Sequence, residues 1–369
     1  MEKSLREHLY IVILCGGTGK RLWPRSRVKT PKQFIKLFGE ATIYQQTVER
    51  AKLLVPPEKI FSVTNIDYLD EIRQQSPDIP RKNIFPEPEV KGTALAMGVA
   101  AMLIGKIDPE AVIVSFSSDQ YIGETPKFVK SVSEAIEAAR LGDFLVTIGV
   151  KPAFPHTGLG YIKRGSRFEK TYGNDIYYAE RYVEKPDSQT AKKLVESGNY
   201  YWNTYFYTWR TSAILNAIAK YLPQTAEGIN KIRKSLGTPE EKKVIAEVYG
   251  SAEKISLDDG VSEKANNLLV VLADFIWSDI GDWKVAYDIS PKSEEGNVII
   301  HEKGNGEFMG IDTKNCLVHF SDQLVATIGV EDLIIIDTRD ALLITKKERS
   351  QEVKGLVNKL IETKKTKYI

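Results

Sequence analysis

The sequence predicts an α/β protein in which a mostly parallel sheet carries helices on both faces, followed by a small second module of short strands. The first observation is that short β-rich apolar runs alternate with stretches where apolar residues recur every three or four positions, the rhythm of βαβ units. The second is a change beyond Pro291 to short strands separated by turn residues at intervals of roughly 8–10 residues. The third is the length of 369 residues, which suits one large domain with a smaller one.

In chain order, the first part of the sequence contains apolar runs typical of strands at 10–14, 60–64, 111–114 and 144–148. Between and after these runs, apolar residues recur at the spacing of a helix, at about 42–54, 92–105, 127–141, 187–198 and 210–250. The second module is predicted to hold short strands between residues 297 and 344 and a closing helix at about 349–363. We therefore predict a large domain over 1–290 and a β module over 291–369.

The charge balance and the cysteine content exclude several functions. The chain has 51 Lys and Arg against 49 Asp and Glu, a formal charge of +2, and no basic block long enough to follow a nucleic-acid backbone. The first apolar run, at 9–14, is too short for a signal peptide or a membrane span. Cys15 and Cys316 are too few for a disulfide framework or a cysteine zinc site. We expect a cytoplasmic protein that binds neither nucleic acid nor membranes.

A glycine-rich segment follows the first predicted strand directly. It combines backbone freedom with positive charge in Gly16, Gly17, Gly19, Lys20 and Arg21. Glycines let the backbone approach a phosphate and aim N–H groups at it. A P-loop would need Gly at 14 and Ser or Thr at 21, where Leu14 and Arg21 stand, and a dinucleotide fingerprint would need Gly at 22, where Leu22 stands. The segment indicates a phosphate site of another kind, and the alternative is a glycine turn without a ligand.

Three charged residues further along suit metal and phosphate chemistry. Lys32 follows Pro31, which fixes the local backbone and suits a positioned cation. Asp119 lies just past the carboxyl end of a predicted strand, where ligands of α/β sheets collect, and Asp279 lies in a segment with glycine and tryptophan. Two separated carboxylates suit Mg²⁺, which keeps several waters. Taken alone, Lys32 would be a surface charge and each aspartate a helix cap or turn residue, and Asp282 competes for the second metal position.

The segments 16–24 and 31–32 together resemble the signature of the nucleoside-diphosphate-sugar pyrophosphorylases, and further matches run along nearly the whole chain. Segments 22–24, 31–34, 277–283 and 329–333 resemble the mannose-1-phosphate guanylyltransferases more closely than their glucose-1-phosphate relatives. The resemblance implies a Rossmann-like nucleotidyltransferase sheet as the catalytic domain, a C-terminal left-handed parallel β-helix and no fused isomerase domain. It implies an enzyme that joins GTP and mannose 1-phosphate with Mg²⁺, releases pyrophosphate, and forms a homo-oligomer, with a dimer expected.

The resemblance also implies roles for individual residues. Arg21 and Lys32 neutralise charge on the transferred phosphate, and Asp119 and Asp279 hold the metal. The nucleotide is held by the glycine loop and two later segments, through Leu14, Gly16, Gly17, Thr18, Gly19, Gly92, Thr93 and Ser118. The sugar phosphate is held by a glycine, a carboxylate for sugar hydroxyls, an ammonium for the 1-phosphate and an amide: Gly160, Glu184, Lys185 and Asn203. Residues 257–264 add a further sugar-specificity segment.

Three departures from the family pattern bear on specificity. Residues 92–96 read Gly-Thr-Ala-Leu-Ala where the family reads Asn-Thr-Ala-Pro-Ala, Gln120 stands where it has histidine, and Tyr205 replaces a glycine. The first segment helps hold guanine in relatives, and Tyr205 lies beside the sugar motif. Two alternatives therefore stay open: the same chemistry with UTP or dTTP and glucose 1-phosphate, or a catalytically silent sugar-nucleotide sensor that regulates a partner enzyme.

Overall fold

The computed structural model describes residues 6–17, 19–171, 175–302 and 304–369, and the chain divides into two compact units. Unit 1 contains Met1–Gly16, Thr47–Ser118 and Ile122–Trp277, and unit 2 contains Gly17–Gln46, Asp119–Tyr121 and Ser278–Ile369. Unit 2 therefore joins the C-terminal part of the chain with two segments from much earlier. No helix in the described ranges is long and apolar enough to span a membrane.

Unit 1 is built on a nine-stranded sheet with the order β3-β2-β1-β4-β9-β6-β10-β8-β7. The first eleven strands along the chain, of which the two-residue β5 and β11 lie outside this sheet, are β1 (Leu9–Cys15), β2 (Ile60–Asn65), β3 (Ile84–Glu87), β4 (Val112–Ser117), β5 (Tyr121–Ile122), β6 (Leu145–Val150), β7 (Tyr161–Arg167), β8 (Ile176–Val183), β9 (Tyr200–Arg210), β10 (Leu268–Ala273) and β11 (Trp277–Ser278). Parallel pairing joins β1 to β2 and β4, β2 to β3, and β6 to β10. However, β9 runs antiparallel to β4 and β6, and β8 antiparallel to β7 and β10. The sheet is mixed, so the parallel arrangement that the sequence predicts describes only part of it.

Most helices lie where the sequence predicts helical spacing, although Leu69–Gln75 and Trp283–Ile289 are helices that it does not predict. The α-helices of the described chain are α1 (Ile43–Lys52), α2 (Leu69–Gln75), α3 (Thr93–Ile107), α4 (Thr125–Arg140), α5 (Ser188–Glu196), α6 (Thr211–Tyr221), α7 (Pro223–Ser235), α8 (Glu241–Ser251), α9 (Trp283–Ile289) and α10 (Val353–Glu362). The apolar α3 is buried along most of its length and packs against α6 and α7. The stretch predicted as helical over 210–250 contains three helices, α6, α7 and α8, and Pro223, which has no N–H with which to continue α6, begins α7.

Unit 2 contains the predicted module of short strands. They are β12 (Val298–His301), β13 (Phe308–Ile311), β14 (Leu317–Phe320), β15 (Val325–Ile328), β16 (Leu333–Asp337) and β17 (Leu342–Lys346). Strands β12, β14 and β16 pair in parallel, and β13 and β15 form a second parallel pair. Strand β17 returns antiparallel to β16. Parallel strands that recur with one turn of chain between them are the arrangement of a β-helix.

The core of unit 2 combines side chains from the beginning and the end of the chain. Leu22 lies in one buried cluster with Trp283 and Ile334, and the terminal helix α10 adds Val353 and Val357 to it. Burial of each such side chain contributes about 1.5–3 kcal/mol to stability. The strands alone therefore do not form this core, which also needs the glycine-rich segment and α10.

Glu87, at the end of β3, gives unit 1 a pH-dependent stability. Burial raises the pKa of its carboxyl group from a usual value of 4.5 to about 7, and the Tyr249 hydroxyl offsets part of this rise. A carboxyl whose pKa is higher in the folded state stabilises the fold while protonated, so this stability is lost as the pH rises from about 4.5 through about 7. We expect the free energy of unfolding to fall by about 3 kcal/mol over this range.

Urea denaturation at several pH values checks this prediction. Glu87→Gln should flatten the pH dependence, whereas Glu89→Gln, two positions further along and with a side chain 57% exposed, should leave it unchanged. The same slope in Glu87→Gln and the parent would contradict the assignment.

Candidate active site

The residues that the sequence predicts for the site fall into two groups. Unit 2 holds the phosphate and metal candidates Gly17, Gly19, Arg21, Lys32, Asp119 and Asp279. Unit 1 holds the remaining nucleotide and sugar candidates Leu14, Gly16, Gly92, Thr93, Ser118, Gly160, Glu184, Lys185 and Asn203. Thr18 lies outside the described residues. Each group has its own geometry.

The glycine-rich loop of unit 2 depends on conformations that favour glycine. Gly17 has φ +95° and Gly19 has φ +60°, in the left-handed region. A Cβ atom on Gly19 would lie 2.5 Å from the Cβ of Lys32, so the loop packs directly against the turn that carries this lysine. The loop then enters a short 3₁₀ turn over Lys20–Leu22. The glycines therefore bring the loop close to Lys32.

A groove of about 390 Å³ opens beside this loop. Its lining contains four cationic side chains and one carboxylate, Lys20, Arg21, Lys32, Lys354 and Asp279. The Nε atom of Arg21 is buried and has no hydrogen-bond partner within the described part of the chain. A concave surface with excess positive charge and a spare N–H donor suits an anion such as phosphate.

Lys354 is a lining residue that sequence reasoning missed. It lies in the first turn of α10, in a module for which the sequence shows no catalytic cluster. No motif marks it, because its place in the groove depends on how α10 packs in the core of unit 2. Lys20, whose Nζ atom lies 3.5 Å from Asn358 Oδ1, contacts the same helix.

Lys32 brings the two predicted metal ligands together. Its Nζ atom lies 3.0 Å from Asp119 Oδ2 and donates a hydrogen bond to the backbone oxygen of Asp279. The competing Asp282 is buried and caps α9, accepting hydrogen bonds from the backbone N–H of Val285 at 3.0 Å and from the side chain of Gln351. The Asp282 carboxylate is thus already engaged in capping the helix, whereas Asp279 lines the groove.

The residues around Lys32 do not form a complete set of metal ligands. The described residues contain no group of three or more His, Cys, Asp or Glu that could hold an ion. Two carboxylates fit a hard cation that keeps waters and phosphate oxygens in its coordination shell. The chemistry of Asp119 and Asp279 is therefore compatible with Mg²⁺ but not with a structural zinc site.

On the sugar side, unit 1 places Gly160 against Glu184. A Cβ atom at Gly160 would lie 2.5 Å from Glu184 Oε2 and 2.5 Å from the Tyr182 hydroxyl, so only glycine permits this approach. The Glu184 side chain is 6% exposed, and burial, with the nearby charge of Asp258, raises the pKa of its carboxyl group. Lys185 forms an ion pair with Glu184, and 59% of its side chain is exposed. A buried acceptor thus lies beside an accessible cation.

Asn203 is buried and is held by hydrogen bonds on both sides of its amide. Its Oδ1 atom accepts from the Thr147 hydroxyl at 2.7 Å and from the backbone N–H of Tyr205 at 3.1 Å. Its Nδ2 atom donates to the Tyr182 hydroxyl at 2.8 Å and to Asp258 Oδ1 at 3.1 Å. These bonds fix the amide as part of the wall around Glu184.

Sequence reasoning indicated the segment 257–264 but did not single out Asp258 within it. The hydroxyls of Tyr207 and Tyr182 donate to its Oδ1 atom at 2.6 and 2.9 Å. Burial raises the pKa of Asp258, and these hydrogen bonds act against the rise. Burial also raises the pKa values of both tyrosines well above the usual value, so both hydroxyls remain protonated donors.

Gly92 and Thr93 fix the other predicted nucleotide segment of unit 1. Gly92 has φ +82° with ψ −178°, a combination open to glycine alone, and a Cβ atom there would lie 2.2 Å from the backbone oxygen of Ile255. The Thr93 hydroxyl accepts from the N–H of Leu257 at 2.8 Å. The asparagine that the resembled family has at position 92 would collide with Ile255, which explains this departure. Ser118 is buried, and its N–H donates to the Leu14 carbonyl at 3.1 Å.

Comparison with known proteins finds two family models that match this chain. Residues 10–296 match the family model described as nucleotidyl transferase, and residues 306–360 match the mannoseP isomerase/GMP-like beta-helix domain. The mannose-1-phosphate guanylyltransferase of Klebsiella pneumoniae is 34% identical over 97% of this chain and 75% of its own length. That of Escherichia coli (strain K12) is 33% identical over 95% of this chain and 73% of its own length.

A solved structure supports the same assignment. The crystal structure of mannose-1-phosphate geranyltransferase from Thermus thermophilus superposes with a TM-score of 0.85 and 29% identity, covering 96% of this chain and 99% of that one. Nucleotidyl transferases generally use a divalent metal. From the match over residues 10–296, the relatives and this superposition together, the chain belongs to the nucleotidyl transferase family.

Proposed function

We propose that this protein is a mannose-1-phosphate guanylyltransferase, which forms GDP-mannose and pyrophosphate from GTP and α-D-mannose 1-phosphate. The observation that carries the proposal is the cationic groove of unit 2, where Arg21 offers a buried N–H donor beside Lys20, Lys32 and Lys354. The choice of GTP and mannose 1-phosphate is supported by the names of relatives that match nearly the whole chain.

The reaction forms a bond from an oxygen of the sugar 1-phosphate to the α-phosphorus of GTP and breaks the bond from that phosphorus to the pyrophosphate oxygen. The attacking phosphate is already largely dianionic near pH 7, so it needs no general base. Arg21 and Lys32 then serve to position the transferring group and to neutralise its developing charge. Backbone N–H groups of Gly16, Gly17 and Gly19 would contribute further donors.

Asp119 and Asp279 would hold Mg²⁺, which when bound neutralises charge on phosphate oxygens. The helix-capping position of Asp282 supports Asp279 as the second ligand. Lys32, which contacts both residues, would orient the Asp119 carboxylate and keep the two acids close before substrate enters.

Unit 1 would recognise the sugar and the nucleoside. Glu184, with its buried carboxylate, would accept from sugar hydroxyls beside Gly160, and Lys185 would meet the 1-phosphate. Asn203 would hold the wall of this pocket in place through the bonds described above. The rigid Gly92–Thr93 turn, with Leu14 and Ser118, would contact the nucleoside.

A matrix of four nucleoside triphosphates against several sugar 1-phosphates, scored by pyrophosphate release, tests the proposal. GTP with mannose 1-phosphate should give the highest kcat/KM, and a chelator should abolish release. A tenfold higher kcat/KM for another pair would overturn the choice of substrates but not the class of reaction. Tight binding of GDP-mannose without turnover of any pair would instead favour the silent sensor.

A further inference from the structure

Tyr205 occupies an unusual place in the backbone of β9. Its φ of +61° lies in the left-handed region, which non-glycine residues rarely adopt. Thr147 of β6 aligns with Tyr207, but Gly149 aligns with Asn203, so three residues of β9 face one residue of β6. This irregularity is a β-bulge, a feature that redirects side chains near functional sites.

Two side chains of β9 hold the bulge in place. The Asn203 Oδ1 atom accepts the N–H of Tyr205 at 3.1 Å, and the Thr204 hydroxyl donates to the carbonyl of Ile148 at 2.8 Å. A strained conformation persists only where its surroundings determine it. The direction of the Tyr205 side chain is therefore set by the framework and not by a freely moving loop.

The bulge directs the Tyr205 hydroxyl to the two groups that would recognise the sugar. This hydroxyl accepts from the backbone N–H of Gly160 at 2.9 Å and lies 3.4 Å from Glu184 Oε1, to which it can donate. A sugar hydroxyl has the same capacity, one O–H donor with acceptor lone pairs. The phenol oxygen thus makes the contacts that a sugar hydroxyl would make.

We propose that Tyr205 is a specificity-determining residue whose hydroxyl permanently fills one hydroxyl position of the sugar pocket. This inference rests on the proposed function, because it assumes that Gly160 and Glu184 face the sugar. While Tyr205 stays in place, one hydroxyl of the bound sugar makes no contact with that N–H and carboxylate. The protein should then accept a sugar 1-phosphate that lacks this hydroxyl.

Calorimetric binding of mannose 1-phosphate and of its 2-, 3-, 4- and 6-deoxy analogues tests the inference. For the parent protein, at least one analogue should bind within about threefold of mannose 1-phosphate, since no protein group loses a partner. In Tyr205→Gly, which also relieves the left-handed strain, the same analogue should bind at least about tenfold more weakly than mannose 1-phosphate, because the freed groups now bind its hydroxyl. Tyr201→Phe, on the same strand, serves as the matched control and should behave like the parent.

The outcomes separate the two proposals. Discrimination of tenfold or more against every deoxy analogue by the parent, or an identical pattern in Tyr205→Gly, overturns the role of Tyr205 while leaving the transferase activity standing. Binding with the expected pattern but no pyrophosphate release in the presence of GTP overturns the proposed function and supports Tyr205. If neither protein binds any of these sugar phosphates, both proposals fail.

Discussion

Replacing Arg21 by alanine or Asp119 by asparagine should lower kcat by about 10²–10³, the usual effect of removing one preorganised electrostatic contact. Arg21 lines the cationic groove, and its Nε atom has no hydrogen-bond partner in the described structure, so its guanidinium can interact with charge that develops on the transferred phosphate. Asp119 contacts Lys32 at 3.0 Å and would hold the metal. Because both act mainly on the transition state, the affinity for GTP should fall much less than kcat.

Steady-state pyrophosphate release gives kcat, and calorimetry with GTP gives the affinity. Lys29→Ala and Asp288→Asn change the same residue classes in unit 2 outside the groove and should retain the parental kcat. A parental kcat for Asp119→Asn at saturating Mg²⁺ would refute its role as a metal ligand. A loss of GTP affinity with a parental kcat in Arg21→Ala would make this arginine a ground-state binding residue.

Asp258→Ala should produce the largest loss of stability among the sugar-side residues. The carboxylate accepts from Tyr182, Tyr207 and Asn203, and its removal leaves these buried donors short of an acceptor. We expect the free energy of unfolding to fall by about 2–4 kcal/mol, the range for one or two buried unsatisfied groups. Asp258→Asn should cost much less, because it retains an acceptor and removes a charge that burial disfavours.

Urea denaturation measures this effect. Asp259→Ala, at the exposed neighbour that bonds Ser256, is the matched control and should remain close to the parent. Equal stability of Asp258→Ala and Asp259→Ala would show that the tyrosine hydroxyls find other acceptors. The sugar-phosphate KM of Asp258→Ala should rise, since Asn203 and Tyr182 also fix the surroundings of Glu184.

Local patterns predicted most strands and helices because they record burial along the chain. The short strands of the C-terminal module, for example, run from Val298 to Lys346, close to the predicted span of 297–344. The antiparallel direction of β9 relative to β4 and β6 could not be predicted, since an alternating run of aromatic residues has the same pattern in either direction. The boundary between α6 and α7 at Pro223 could have been predicted from the proline itself.

The residues of the candidate site also divide into those that local patterns predicted and those that they did not. The glycine loop, Lys32, Asp119 and the 184–185 pair have local signals, and the structure places Lys32 in contact with Asp119. Lys354 has none, and for Asp258 the sequence indicated only the segment 257–264, because the roles of both residues come from partners far along the chain, such as Tyr182 and the glycine loop. The expected dimer, the cytoplasmic location and the individual ligand contacts stay predictions.

The composite core of unit 2 has a consequence for how the protein is made. Leu22 and Ile35 leave the ribosome early, but Trp283, which shares their buried cluster, follows about 250 residues later, a delay on the order of 10–50 s at common rates of synthesis. During this interval the nascent segment exposes apolar side chains that lack their partners in the finished core. We expect it to be a target for chaperones, and a message broken before the codons for α10 to yield a chain in which the phosphate groove lacks one wall.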